Sequence, residues 1–437
     1  MTATRLGAAE LARAVAAGAV TPDQVVEAVL DRITSVEGTI HAWSILDADG
    51  ARAQAAELTR EAAAGRLRGP LHGVPVGIKD EFDVAGWPTA MRGPDAPRAT
   101  EDAACVALLR RAGAIVVGKT AMPIGGTPPP TRNPWHTDHT PGGSSSGSGA
   151  AVAARMVPLA IAEQTAGSTL RPAAFCGVAG LKPTYGLISR FGCAPFTWSR
   201  DHVGLIGLKV EDLALALSVL AGRDPRDPTT LDVAPPAAEL RVEDLAPPRI
   251  GLVQNLMPGQ VEDVMVDAIG RSAGVLERAG AQIVPFALPD EFALARPIAD
   301  LLDAERGALH ANKPLRSGGL NREQISALVP AAYYVQAERI RTWLGSTMRA
   351  AVADFDALLM PAALGAAPRG VESTGDSNPL LPWSLLGFPA LTINGGVTPT
   401  GLPLGIQLVA GPLADEKLLR VGAWCEARLG RLSEPPI

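Results

Sequence analysis

A chain of 437 residues, of which 47% are hydrophobic, is long enough to bury a large core as two or three domains or as one large α/β domain. Its formal net charge of −6 and the lack of any basic run argue against a nucleic-acid partner. No stretch reaches the roughly 18 apolar residues of a membrane span, and the N-terminus carries Glu10 and no long apolar run. No membrane partner and a soluble, cytoplasmic protein are therefore the expectation.

The first 70 residues read as helices that clad the domain. Ala8 to Ala17 is apolar at helical spacing. Thr21-Pro22-Asp23-Gln24 supplies an N-cap, a proline at N1 and a glutamine at N3, so a helix runs on through Val25 to Ile33. Ala51 to Gly65 is a further helix, closed by glycine. His72 to Ile78 is a short apolar strand that ends on Lys79, where a lysine is ordinarily a solvated rim residue. Asp80 and Asp83 read as turn and packing acids. Asp102 to Ala112 predicts a helix and Ala114 to Val117 a strand.

Gly113 to Thr120 fits the P-loop expression, but a P-loop has its strand before the first glycine and a helix after the Lys-Thr. Here a helix precedes, the strand lies between the glycines, and Pro123 follows, which argues against nucleotide binding. Gly125 to Pro130, GGTPPP, is loop.

The densest chemistry lies between Thr140 and Gly186. Gly142-Gly143-Ser144-Ser145-Ser146-Gly147-Ser148 sets serines among glycines. A helix-like run from Ala150 to Met156 and a strand from Val157 to Ile161 lead to a second small-residue turn, Gln164-Thr165-Ala166-Gly167-Ser168. Two serine-bearing turns joined by one helix and one strand can face each other across a single site. Glycine lets backbone N–H groups approach a ligand, and a serine beside such groups has the parts of an acyl-transfer nucleophile. Gly143 to Gly147 also fits GxSxG, the nucleophile elbow, with Ser145 as nucleophile and His202 or His310 as base. That elbow needs a strand directly before it, and Asp138-His139-Thr140-Pro141 is none.

Beyond the core, Val210 to Leu220 is a helix and Arg223 to Pro248 a surface connection. Arg249 to Gln254 is a strand, Glu262 to Ala279 a helix and Gln282 to Phe286 a strand. Pro289 to Leu315 and Glu323 to Ala351 read as largely helical, and Asp356 to Met360 and Ala390 to Asn394 as strands that return to the same sheet. The alternation of short strands and helices points to an α/β fold: a mixed, twisted central sheet with helices on both faces. The cysteines Cys105, Cys176, Cys193 and Cys425 lack disulfide or metal-ligand spacing and read as small buried hydrophobes.

These motifs closely resemble the amidase signature family of amide hydrolases. The family's GGSSxGS block stands at Gly142 to Ser148, its TxGS turn at Thr165 to Ser168, and its PAAxCGxxGLKPTYG block at Pro172 to Gly186. Gly73 to Asp80 looks like its lysine block, Thr131 to Trp135 its TRNPW block, and Gly401 to Leu408 its C-terminal GLPxGxQ strand. The resemblance implies one domain over residues 1–437, with helical cladding at about 1–70, a signature core at about 71–220 and a variable insertion at about 290–351. That insertion is a natural place for substrate selection and for homodimer contacts.

The same resemblance implies Ser168 as nucleophile, Ser144 as bridging serine with a cis peptide bond, and Lys79 as base. The backbone N–H groups of Thr165, Ala166, Gly167 and Ser168 form the oxyanion hole. Gly125, Gly126, Gln164, Arg171 and Trp198 are the candidate substrate contacts. No metal and no cofactor are expected. For Lys79 to act as a base near neutral pH, burial among apolar neighbours such as Val76 and Ile78 is expected to lower its pKa.

The implied activity is hydrolysis of a small linear amide or carbamate through an acyl-enzyme. The alternative within the family is the glutaminase subunit of a tRNA-dependent amidotransferase. The usual TDTGGSIRxPA argues against it, because here it reads Glu163-Gln164-Thr165-Ala166-Gly167-Ser168-Thr169-Leu170-Arg171-Pro172-Ala173. A glutamine replaces the aspartate and the arginine is shifted by one. Trp198 to Leu205 departs further, keeping only Ser199, Asp201 and Gly204 of SSLDxxGP. A degenerate fold kept as a binding module is the non-enzymatic alternative, against which stand the intact Lys79, Ser144 and Ser168.

Overall fold

Short strands, most of them buried on both faces, alternate along the chain with helices, and they assemble one sheet between two helical layers. The computed structural model describes residues 3–240, 243, 245–310 and 325–437. Among these, eleven strands form the sheet: β1 (Trp43–Leu46), β2 (Pro75–Lys79), β3 (Ile115–Thr120), β4 (Leu159–Gln164), β5 (Ala179–Lys182), β6 (His202–Gly207), β7 (Arg249–Val253), β8 (Gln282–Phe286), β9 (Ala357–Pro361), β10 (Ala390–Val397) and β11 (Pro403–Val409). Their order across the sheet is β1-β3-β2-β4-β6-β5-β10-β11-β9-β7-β8. β2 runs parallel to β3 and β4, and β7 parallel to β8 and β9; the other pairings are antiparallel. The expected mixed α/β sheet is thus the architecture.

Alternation decides what each face buries. Val76, Ile78, Val116, Leu159, Ile161 and Leu205 point to one layer, whose helices include Val210–Leu220 and Asp415–Leu429. Ile115, Val117, Ala160, Ala162 and Ile206 point to the other, covered by the helices Pro22–Ile40 and Ser146–Ala153. The capping box at Thr21 forms as expected: Gln24 N donates to Thr21 Oγ1 at 3.3 Å and Thr21 N to Gln24 Oε1 at 3.0 Å. The helix then runs past Ile33 to Ile40, where His41 ends it in a left-handed turn with φ 54°. A third cluster around Trp383 and Phe388 packs the helices Ala295–Leu302 and Ala331–Val352 against the β9 side. The helical reading of the insertion holds for these segments; residues 311–324 lie outside the described ones.

Ile78 of β2 pairs with Ile161 of β4 in parallel register. Both strands therefore end at the same edge of the sheet, which places Lys79 and the turn after Gln164 side by side. Carboxyl ends of parallel strands are where open α/β sheets hold ligands.

Candidate active site

The glycine–serine block folds as a tight entry into the buried helix Ser146–Ala153, and a non-proline cis bond joins Gly143 to Ser144. Gly147 has to be glycine: a Cβ there would overlap the carbonyl of Ala42 and the amide of Ala121. Three of the serines are buried and occupied. Ser146 Oγ donates to Gly142 O at 2.7 Å, Ser148 Oγ bonds Ile161 O at 3.1 Å and Thr120 Oγ1 at 2.7 Å, and Ser145 Oγ bonds Glu163 O at 3.4 Å. Ser144 and Ser168 are the partly exposed ones. Ser145 N donates to Ser168 O at 3.2 Å, which clasps the two turns together.

Lys79 Nζ donates to Ser144 Oγ at 2.8 Å from a fully buried position. Its surroundings correct the expectation of an apolar cage. Val76 and Ile78 face the opposite layer, because neighbours one and three residues along a strand point away from Lys79. What Lys79 meets is Glu81 Oε2 at 2.7 Å and Glu163 Oε2 at 3.1 Å. Burial pulls its pKa down, but the two carboxylates outweigh burial and raise it above the ordinary lysine value. At rest Lys79 is an ammonium.

After β4 the chain turns through Thr165, Ala166, Gly167 and Ser168 into the helix Leu170–Cys176. Among the described residues, the backbone N–H groups of these four find no acceptor within the protein. That is the arrangement expected of an oxyanion hole. The segment 373–380 covers the turn from above. A side chain on Gly143 would strike Thr374, and one on Gly167 would strike Ser377 and Leu380.

The remaining expected contacts divide. Gln164 is fully buried and spent on the scaffold: its Oε1 accepts from Thr169 N at 2.9 Å and Leu170 N at 3.0 Å, capping the helix, and its Nε2 donates to Ser384 Oγ at 3.0 Å. Its expected contact with substrate is corrected accordingly. Arg171 is likewise buried. It donates to Gly143 O at 2.5 Å, Gly375 O at 2.6 Å and Thr374 Oγ1 at 3.0 Å, so it ties the covering segment to the peptide bond before Ser144. Burial lowers its pKa to about 10, opposed by Asp376. The structure gives Arg171 this bracing place, not one facing substrate. Glu163 pairs with Lys79, not with Arg171.

Gly125 and Gly126 lie on an exposed turn closed by Ile124 and Thr127. Trp198 is 58% exposed, with its carbonyl held by Tyr185 Oη and Arg190 Nη1. Among the described residues, neither segment is hydrogen-bonded to Lys79, Ser144 or Ser168.

Arg171→Leu should therefore lower kcat/KM equally for acidic and neutral amides. It should cost about 2–3 kcal/mol of stability, the scale of lost hydrogen bonds to a charged group. A melting curve together with the two-substrate comparison checks this. A KM rise confined to acidic substrates would restore the substrate-contact reading.

The rival motifs lose their parts in the fold. The segment fitting the P-loop expression is strand β3, and Lys119 within it is buried against Asp80 at 2.6 Å and Pro88 O at 2.7 Å. Asp80 and Asp83 serve the packing roles read from sequence, the latter pairing Arg92 at 2.7 Å. His202 is buried, with Nδ1 on Arg200 O at 2.5 Å. Burial, with Lys182 nearby, holds its pKa well below the usual histidine value. It bonds no serine. The side chain of His310 lies outside the described ones. Three of the cysteines are buried as expected and Cys193 is partly so; all are free thiols.

Sequence reasoning missed the acids. Glu81, Glu163 and Asp201 converge here from three separate segments, and Thr165 Oγ1 bridges the last two at 2.8 and 2.7 Å. The one signal available was an acid inside the short buried strand β4.

The chain matches the Amidase family over residues 24–419. It is 35% identical to a glutamyl-tRNA(Gln) amidotransferase subunit from Acidothermus cellulolyticus, with 98% of this chain and 96% of that one covered. Among solved structures it is similar to the native peptide amidase from Stenotrophomonas maltophilia, with TM-score 0.85, 31% identity and 99% and 98% of the two chains covered. It is also similar to a structure described as a vestigial protein complex revealing the evolutionary origins of an s-triazine catabolic enzyme, with TM-score 0.88, 30% identity and 98% and 100% covered. Matched along nearly its whole length in sequence and in fold, the chain belongs to the amidase family, whose members are hydrolases of carbon–nitrogen bonds.

Proposed function

We propose that this protein is an amidohydrolase that opens the C–N bond of a small linear amide or carbamate through an acyl-enzyme on Ser168. The observation that carries the reading is the 2.8 Å bond from Lys79 Nζ to Ser144 Oγ, made beside a turn whose N–H groups are free to receive an oxyanion. Ser168 Oγ adds to the carbonyl carbon, and the π electrons move to the carbonyl oxygen. The proton of Ser168 passes to Ser144, that of Ser144 to Lys79, and the Lys79 ammonium gives up one of its own to the Glu81 carboxylate, 2.7 Å away. On collapse the proton returns through Ser144 to the leaving nitrogen, and the C–N bond breaks. Water then repeats the sequence on the ester. Each N–H donor to the oxyanion is worth about 3 kcal/mol in the transition state.

The test is a panel of amides, carbamates and ureas, with the Ser168→Ala protein as blank. Turnover of a linear amide or carbamate supports the reading; no turnover above the blank and no acylation by any serine-directed probe would leave a binding module. The 35% identity to an amidotransferase component keeps a second reading in view. Ammonia released from glutamine only in the presence of partner subunits would favour that one.

A further inference from the structure

Lys79 is surrounded by more negative charge than it can balance. Glu81, Glu163 and Asp201 are 1%, 3% and 3% exposed. The other groups facing them supply no cation: Cys193 is held neutral by burial and by these acids, His202 is neutral, and Arg200 turns to Asp303 at 2.6 Å. With all three carboxyls ionised, two negative charges would sit uncompensated out of water. Buried carboxyls in that position keep a proton.

Hydrogen-bond geometry indicates which one. Thr165 Oγ1 lies 2.8 Å from Glu163 Oε1 and 2.7 Å from Asp201 Oδ1, yet a hydroxyl has one proton to give. One of the two carboxyls must donate to it. Asp201 accepts from Phe196 N at 2.8 Å, from Thr197 N at 2.8 and 3.0 Å, and from Thr197 Oγ1 at 2.9 Å, all of which favour its ionised form. Among the described residues the hydrogen bond of Glu163 Oε1 is to Thr165, and the Glu163 carboxyl also meets that of Glu81.

We propose that Glu163 works as a neutral carboxylic acid that ties the base to the oxyanion turn. Its Oε1–H donates to Thr165, whose hydroxyl donates to Asp201, while its Oε2 accepts from Lys79. The roles of Lys79 and the turn rest on the function proposed above. Glu163 touches no substrate; it is a positioning residue. Burial and the charge of Glu81 push its pKa up to about 7, against about 6 for Asp201, so Glu163 is the one that keeps its proton longer as pH rises. Ionising it would set a second carboxylate on the ammonium of Lys79, holding the base protonated. It would also leave two anions competing for the single proton of Thr165. Both effects act against catalysis.

Glu163→Gln tests this, because an amide can donate to Thr165 and accept from Lys79 and never ionises. The readout is the rate at which an aryl carbamate acylates Ser168, followed by intact mass. The variant should stay within about threefold of wild type at pH 6, and the variant-to-wild-type ratio should climb on the order of tenfold by pH 9. The infrared difference between the two proteins at pH 6 should contain the C=O stretch of one protonated carboxyl, lost at pH 9. Other buried acids such as Asp212 and Glu426 cancel in that difference.

If the glutamine protein does not fold, Thr165→Val replaces it and should shift the same band by removing its acceptor. A ratio that stays constant with pH, or a difference spectrum holding only carboxylate bands, overturns the proposal. If wild type is not acylated at Ser168, the catalytic reading fails, and the infrared band alone still decides the state of Glu163.

Discussion

Exposure to a serine-directed acylating probe should place the adduct on Ser168 and leave the Ser168→Ala protein unmodified. The expectation follows from where the hydroxyls lie. Ser145, Ser146 and Ser148 are buried and bonded to backbone or Thr120, whereas Ser168 is partly exposed in a turn whose four N–H groups have no acceptor among the described residues. Removing the nucleophile of a serine hydrolase costs on the order of 10⁶ in kcat, so Ser168→Ala should fall to background. Ser145→Ala loses only long bonds of 3.4 and 3.5 Å to the backbone of Glu163, a cost of about 1 kcal/mol, and should keep substantial activity. The elbow reading requires the reverse. An adduct found on the Ser168→Ala protein would sink the assignment.

Local sequence signals carry the fold well where they are complete. The helix Val210–Leu220 and the strand Gln282–Phe286 stand where periodicity puts them, and the box at Thr21 starts its helix at Pro22. β1, β5 and β6 escape such reading, because each takes its place through partners far along the chain: Trp43 pairs with Thr120, and Gln164 with His202. The helix Asp415–Leu429 escapes it too, although its buried Leu418, Leu419 and Val421 lie on one amphipathic face.

At the site the limit is similar. The motif positions of Lys79, Ser144 and Ser168 are legible, and the nearness of Lys79 to the turn that carries Ser168 follows from parallel strands ending together. The electrostatics are not legible. Residues adjacent in sequence suggest an apolar cage, but adjacency along a strand places side chains on opposite faces. The residues that set the charge of Lys79 come from positions 81 and 163, with Asp201 reaching them through Thr165. No spacing rule joins those three. The nearness of Arg171 to Ser168 suggests a substrate contact, but the helix carries its side chain toward Gly143 and Gly375.

Replacing Lys79 with methionine should have the second large effect, and it should separate a lysine base from a histidine base. Loss of a general base costs about 10² to 10⁴ in rate, so Lys79→Met should lose at least that while His202→Asn should not. The pH dependence is the sharper readout. Lys79 has its pKa raised above the unfolded value of 10.5, so the stability it contributes is fully present below that value and is lost only as pH rises through the still higher folded one. Between pH 5 and pH 9 wild type should therefore show no lysine ionisation in kcat/KM. A rising limb through a lowered lysine pKa, which an apolar cage would have produced, is not expected.

In Lys79→Met the carboxyls of Glu81 and Glu163 keep their burial and lose their cation. Breaking a buried pair in this way costs about 3–5 kcal/mol. Carboxyls whose folded pKa is raised lose stability as pH climbs from the unfolded value, here 4.5, through the folded one. The deficit in Lys79→Met should thus be full at pH 8 and shrink toward pH 5, where both acids can take up protons. Chemical denaturation of the two proteins across that range measures it. A deficit that is the same at pH 5 and pH 8 would mean that the acids are not ionised against Lys79, and the charge cage would have to be abandoned.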